Sequence, residues 1–321
     1  SLDKNYRTRP VLDRFTQVSR YILLLIVLPG MNTMQPNPNA LSSLLAVLLA
    51  MLSITLGASL AKSLFPLLGA AGTTLFRLGC AALLLSLVFR IWRAPLDRRT
   101  LLGAIPYGLS LGAMNLLFYL AIARIPLGVA LAIEFIGPLT VALLSSRHRA
   151  DFIWLILAIA GLLLLLPLRA TQQAIDPLGA ALALGAGLFW GLYMLTGKRA
   201  GALLGAQAPA LGMWVGTLLV LPFGLEGAIE ASFTVPVILT IIGVGLLSSA
   251  IPYSLEMFAL RRLPLKSYGI LTSGEPAMGA LMGLVWLGEQ LPPSQWLGIA
   301  AIIAASMGTT WQAGRRQAGS A

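Results

Sequence analysis

Charge is scarce in this chain. Of 321 residues, 22 are Lys or Arg and 11 are Asp or Glu, so 10% are charged while 58% are hydrophobic. A water-soluble domain carries about 25% charged residues. Too few polar side chains remain to cover a water-facing surface, and the mean hydropathy of +0.86 agrees. The single cysteine, Cys80, excludes an intramolecular disulfide. The single histidine, His148, leaves too few ligands for a zinc or copper site. No G-x-x-x-x-G-K-[ST] loop is present to cradle a nucleotide phosphate. The net charge of +11 would suggest nucleic acid on a soluble protein; here it fits basic loops that set membrane orientation, with the bilayer as partner and no nucleic acid.

What the chain has instead is long apolar runs. Ten can be marked: residues 41–61, 70–91, 101–123, 126–146, 152–168, 177–197, 208–225, 235–257, 265–287 and 294–312. A span needs about 20 residues, and a helix satisfies its own backbone in lipid. The expected fold is therefore an all-α polytopic membrane protein with ten transmembrane helices and no room for a soluble domain in these residues. Glycine pairs four apart, Gly108/Gly112, Gly187/Gly191, Gly212/Gly216 and Gly279/Gly283, would let helices approach closely. Residues 1–39 stand apart, with five basic residues before an apolar run, 21–28, too short to span. They read as an N-terminal extension, either a disordered or mis-started segment (1–33) or an interfacial one.

Basic residues are distributed unevenly. The connections after spans two, four, six and eight and the C-terminal tail (313–321) hold 13: Arg90, Arg93, Arg98, Arg99, Arg147, Arg149, Lys198, Arg199, Arg261, Arg262, Lys266, Arg315 and Arg316. The other side holds Lys62, Arg124 and Arg169. The positive-inside rule then predicts both termini in the cytoplasm.

An internal repeat is also visible. "KSLFPLLGA" matches "KRAGALLGA" at an offset of 136, and "IPLGVALAIEFIGPL" matches "LPLKSYGILTSGEPAM" at 138, with Pro126 opposite Pro264 and Pro138 opposite Pro276. Five spans separate the partners, so the halves, 41–168 and 177–312, should have opposite orientation. Inverted repeats with proline-broken helices are typical of secondary transporters.

These stretches, with "GASLAKSLFPLLGA", "YGLSLGAMNLLFYLAI", "ALALGAGLFWGLYMLTGKRAG", "LSSAIPYSLEMFALRRLP" and "LGIAAIIAASMG", resemble the drug/metabolite transporter superfamily, in its branch with two EamA-type domains. The resemblance covers residues 41–312; residues 1–39 have no counterpart in it. It implies two inverted five-helix repeats around a central cavity. It also implies export of small neutral amino acids, threonine and homoserine above all, in exchange for protons across a bacterial inner membrane. A homodimer stays open, and no cofactor is implied.

Transport without a nucleotide site must run on a gradient, and a proton gradient needs a group that gains and loses a proton. Glu134, Glu256, Glu275 and Glu289 are the acidic residues within or at the edges of spans. Glu134 lies about 12 Å along its helix from Pro126, at 1.5 Å per residue. Glu275 lies at similar depth. Each sits beside a helix-breaking proline, Pro138 or Pro276, which frees a carbonyl one turn earlier. Intramembrane ionisable residues are functional by default, so Glu134 and Glu275 are expected to line the cavity, one for a substrate ammonium and one for the proton. Helix-to-helix hydrogen bonding is the alternative.

Arg77 is the basic residue deep in a span. It is expected to bridge to Glu134, or else to present its fork to a substrate carboxylate. Glu256, one turn from Arg261, reads as half of a solvated surface pair, with an inner gate as the alternative. Lys62 and Lys198 read as snorkelling residues, or as gates paired with loop carboxylates, and Glu289 as a structural boundary residue. Asn115 and Tyr119 share a helix face, as do Trp190 and Tyr193; with Tyr253 they are cavity candidates or interhelical packing. A passive facilitator, or an exporter of another metabolite or drug, are the competing functions. An enzyme is disfavoured, because no Asp lies inside a span and no His is available as a base beside Ser.

Overall fold

The computed structural model describes residues 38–93, 97–144, 151–165, 175–263, 268, 272 and 274–318. Most of the N-terminal extension, His148, Arg147, Arg149, Arg169, Pro264 and Lys266 lie outside the described residues. All regular structure among the described residues is helical.

Twelve helices can be followed. The first half holds α1 (Pro38–Ala61), α2 (Phe65–Phe89), α3 (Arg98–Ile122), α4 (Leu127–Glu134), α5 (Ile136–Leu144) and α6 (Asp151–Leu165). The second holds α7 (Pro177–Leu204), α8 (Ala208–Glu230), α9 (Val235–Gly245), α10 (Ile251–Arg262), α11 (Glu275–Met282) and α12 (Pro293–Ala318). Helix starts follow local chemistry. Asp97 caps α3 by accepting Thr100 N–H at 2.8 Å. Asp176 caps α7 by accepting Leu178 N–H at 2.9 Å, with Pro177 next in the first turn, where no N–H is needed. Arg124 donates to Asp176 at 2.9 Å. That bond first, then the cap, holds the Asp176 carboxyl below its ordinary range.

Four continuous helical runs are long and apolar enough to cross a membrane: Ser42–Phe89, Arg98–Ile122, Pro177–Ile229 and Val235–Arg262. The first and third, of 48 and 53 residues, are more than twice the length one crossing needs. Each contains a break at a glycine. Gly69 has φ 66° and ψ 171°, and Gly205 has φ 60° and ψ −129°. A Cβ on Gly69 would meet nothing within 4 Å, so glycine is required there for its backbone angles and not for space.

Packing follows the glycine pairs. α3 lies against α7 and α8, α2 against α8, α6 against α12, α1 against α10 and α4 against α11. Gly112 of α3 faces Gly216 of α8; a Cβ on Gly112 would stand 2.6 Å from the Gly216 Cα. Gly137 of α5 meets the backbone of Gly187 on α7 so closely that no larger residue fits. Leucines and isoleucines such as Leu87, Leu188, Leu218 and Leu239 point outward, as a lipid-facing surface requires.

Three irregularities bring polar groups inward. The helix from Leu127 breaks at Phe135, one turn before Pro138. Pro138 cannot donate to the Glu134 carbonyl, and that carbonyl lies against Gly187. α9 passes into α10 through a π-helical turn, Leu246–Ala250, just ahead of Pro252. α11 begins at Glu275 with Pro276 in its first turn. Pro276 therefore opens the described helix and does not interrupt it, which costs no hydrogen bond.

Candidate functional site

These irregularities surround a cavity with about 490 Å³ of atom-free space, its open mouth included. Its walls are Ile54, Thr55 and Ala58 from α1, Arg77 from α2, and Met114, Asn115, Phe118 and Tyr119 from α3. Leu131 and Glu134 from α4, Trp190 from α7, Tyr253 and Glu256 from α10, and Glu275 from α11 complete it. Three carboxylates and one guanidinium thus share a small space. All four residues are buried, with exposures of 1% for Arg77, 5% for Glu134, 6% for Glu256 and 4% for Glu275.

The expected Arg77–Glu134 bridge is not made. Arg77 Nη1 donates to the Ser248 carbonyl at 2.9 Å, to Ser249 Oγ at 2.9 Å and to Ser248 Oγ at 3.1 Å. Its Nη2 donates to Asn115 Oδ1, and its guanidinium lies over the Tyr119 ring, 4.1 Å from the centroid. The cause is local. In a regular helix the residue at 252 would donate to the Ser248 carbonyl, but Pro252 has no N–H. The π turn and proline release that carbonyl, and Arg77 takes it. The neighbouring Leu247 carbonyl accepts from Ser53 Oγ at 2.6 Å. Arg77 Nε is left buried without a hydrogen-bond partner among the described residues.

Asn115 is fixed on both sides. It accepts from Tyr253 Oη at 2.9 Å and donates to the Leu111 carbonyl at 2.7 Å. Tyr119 donates to Ser248 Oγ at 3.3 Å. Trp190 packs edge-on against Phe135, with centroids 5.3 Å apart, beside the helix break.

Glu256 departs most from expectation. It is not in a solvated pair with Arg261, which is exposed. It faces the cavity and accepts from Tyr193 Oη at 2.9 Å. Tyr193, a candidate for the wall or for interhelical packing, stands behind Glu256 in a stack with Tyr107 and Tyr253 at centroid distances of 5.3 and 5.7 Å. Tyr253 and Glu256, three residues apart, fall on the inner face of α10 because the π turn rotates the helix register ahead of them. Glu275 Oε2 is buried without a partner among the described residues. Several contributors were not singled out from the sequence: Ser53, Ser248, Ser249, Tyr107 and Tyr268. The available signal was "SSAIP", two hydroxyls three and four residues before a proline inside an apolar run.

Two expected gate residues differ. Lys62 does not snorkel: its Nζ meets Glu289 Oε1 at 2.5 Å. Glu289 Oε2 accepts Leu127 N–H at 2.9 Å, so Glu289 joins the end of α1 to the start of α4 as well as marking a boundary. Lys198 is exposed.

A helical, lipid-facing bundle around a cavity lined by buried charged residues fits a membrane transport protein. Residues 177–311 match the model of the EamA-like transporter family. The chain is 50% identical to the threonine/homoserine exporter RhtA of Salmonella typhimurium (strain SL1344), over 83% of this chain and 90% of the relative. It is 51% identical to the threonine/homoserine exporter RhtA of Escherichia coli (strain K12), over 82% and 90%. An uncharacterized transporter, YwfM of Bacillus subtilis (strain 168), is 31% identical over 58% of this chain and 66% of its own. A solved structure described only as a crystal structure of a protein shares the fold with a TM-score of 0.56 at 18% identity, over 85% of this chain and 98% of its own. The chain belongs to the EamA-like transporter family of the drug/metabolite transporter superfamily. It is a transporter of the exporter kind and not an enzyme.

Proposed function

We propose that this chain exports small neutral amino acids, threonine and homoserine among them, by proton antiport across a bacterial inner membrane. The cavity carries the reading. A zwitterion needs a donor for its carboxylate and an acceptor for its ammonium, and among the described residues the wall has both unpartnered: Arg77 Nε and Glu275 Oε2. Glu275 is assigned to the ammonium. Glu256, held by Tyr193 Oη, is assigned to the proton, and Glu134 lines the same cavity beside the helix break. Three carboxylates and one cation, all buried, cannot all be charged without a cost of several kcal/mol. Protons or an ammonium must therefore balance them in turn, and such an exchange is antiport. The names of the relatives supply the cargo.

The architecture assigned to this function is ten spans in two inverted five-helix repeats, 41–168 and 177–312, with both termini cytoplasmic. Gly69 and Gly205, both at positive φ, stand at the same offset of 136 as Lys62 and Lys198. The helix contacts also keep their pattern when the halves are exchanged: α3 on α7 mirrors α10 on α1.

Labelled threonine or homoserine offered to everted vesicles tests the proposal. Wild type should accumulate either one only when a pH gradient is imposed. No accumulation sinks the cargo, and accumulation indifferent to the gradient sinks the coupling. Glu256→Gln should keep threonine exchange but lose gradient dependence, whereas Glu275→Gln should lose both.

A further inference from the structure

One buried tyrosine takes no part in the exchange proposed above. Tyr107 of α3 is 0% exposed, and its hydroxyl has no hydrogen-bond partner among the described residues. An unpaired buried hydroxyl costs free energy, and phenylalanine would fill the same space without that cost. The space is shaped for the ring. Gly212 of α8 lies so close to Cε1 that no Cβ fits there, and a Cβ on Gly197 of α7 would stand 3.1 Å from Cε2. The ring stacks on Tyr193, with centroids 5.3 Å apart, and Tyr193 stacks in turn on Tyr253. The Tyr107 hydroxyl faces the Tyr193 side chain, and Tyr193 Oη donates to Glu256 Oε2 at 2.9 Å. This column has a direction. Tyr253 and Glu256 line the cavity, Tyr193 stands behind Glu256, and Tyr107 stands behind Tyr193. Tyr107 lies about 14 Å along α3 from Arg98, at 1.5 Å per residue; Asn115, in the cavity wall, lies about two turns farther on. On α7, Lys198 and Arg199 follow Gly197, and Gly201 touches Arg261 of α10. The column therefore leads out of the cavity toward the end of the bundle that carries Arg98, Lys198 and Arg261.

We propose that Tyr193 and Tyr107 carry the proton between Glu256 and that basic end. This rests on the assignment of the proton to Glu256 in the proposed function. In that reading the basic end is cytoplasmic, so a proton that crosses inward leaves Glu256 along this column. The Glu256 carboxyl gives its proton to Tyr193 Oη as Tyr193 passes its own to Tyr107 Oη, and Tyr107 passes its own to water at the basic end. Each hydroxyl gains one proton and gives one up, and Glu256 is left a carboxylate. A phenol hydroxyl can donate and accept at once, which a phenylalanine of equal shape cannot. Glu256 is faced by Tyr193 from α7, by Tyr253 from its own helix, by Tyr268, and across the cavity by Glu134, Glu275 and Arg77. Arg77 is committed to acceptors from α3 and the π turn. Glu134 and Glu275 belong to the cavity itself, so the tyrosine pair is the part of this set that leads away from it.

The test uses the full chain in proteoliposomes with a trapped pH dye, as wild type and as Tyr107→Phe. The substitution removes one oxygen and keeps the ring. Labelled threonine is followed in two ways: accumulation driven by a pH gradient, with the dye response, and threonine–threonine exchange without a gradient. Tyr107→Phe should melt no lower than wild type and keep exchange within about twofold, while accumulation and the dye response slow at least about tenfold. Accumulation and dye response at wild-type rates overturn the route. Equal loss of exchange and accumulation also overturns it, because that marks a packing role. Should the variant fail to insert, a fluorinated tyrosine placed at position 107 keeps the ring and the hydroxyl and makes the hydroxyl more acidic. It should change gradient-driven accumulation at least about threefold and leave exchange as it was; unchanged accumulation overturns the route. Wild type that accumulates threonine without regard to the gradient rejects the coupling and the route with it. Gradient-dependent wild type with an unaffected Tyr107→Phe rejects the route alone.

Discussion

At the scale of residues, the cavity depends on who claims the guanidinium of Arg77. Its two Nη atoms meet acceptors from α3 and from the π turn, and only Nε remains for a solute. Lysine cannot reproduce that fork. Arg77→Lys should leave at least one buried acceptor unmet, at about 1–3 kcal/mol. Lower thermal stability in detergent together with lost threonine accumulation is expected; an unchanged melt would remove Arg77 from this network. Tyr193→Phe deletes the donor to Glu256 and should cost about 1 kcal/mol. Because it leaves the carboxylate in place, it should shift the pH dependence of export while transport persists, and an identical pH profile would separate Tyr193 from the proton step. Arg77, Glu134, Glu275, Asn115, Tyr119 and Tyr253 were legible as polar groups inside apolar runs. Partner choice was not, because it depends on a carbonyl freed by Pro252, 175 residues from Arg77 in sequence.

At the scale of elements, broken helices bring the polar groups to mid-bundle, and glycines let the broken pieces pack. The Glu134 carbonyl, left without its donor by Pro138, lies against Gly187. Gly187→Ala would press a methyl into that carbonyl, and overpacking of this kind costs about 1–3 kcal/mol. Gly69→Ala should cost a similar amount, about 1–3 kcal/mol, for a different reason: its φ and ψ lie in a region open only to glycine, although space beside it is free. Thermal melts of the two variants check both; Gly69→Ala with an unchanged melting temperature would remove the backbone argument. Glu256 shows how an element can mislead a reading of sequence. Counting along an ideal helix puts it near Arg261 and water, but the π turn changes the register by a residue and turns it inward.

At the scale of the whole molecule, the predicted topology puts Lys62 outside and Lys198 inside. Single cysteines at these positions, in a Cys80→Ser chain, should react with an impermeant thiol reagent from opposite faces of the membrane. Labelling of both from one face would overturn the inverted arrangement. By itself the sequence determined that this is a helical membrane protein. That follows from composition and from the length of apolar runs, which lipid reads locally. The sequence also carries the matched prolines, lysines and glycines on which the proposed repeat rests. Only the tertiary structure decided which carboxylates share the cavity, that Arg77 is held by serines and an asparagine and not by Glu134, and that Glu289 pairs with Lys62. Those pairings join residues from 38 to 227 positions apart, and they are set by where broken backbone leaves an acceptor, which no local pattern records.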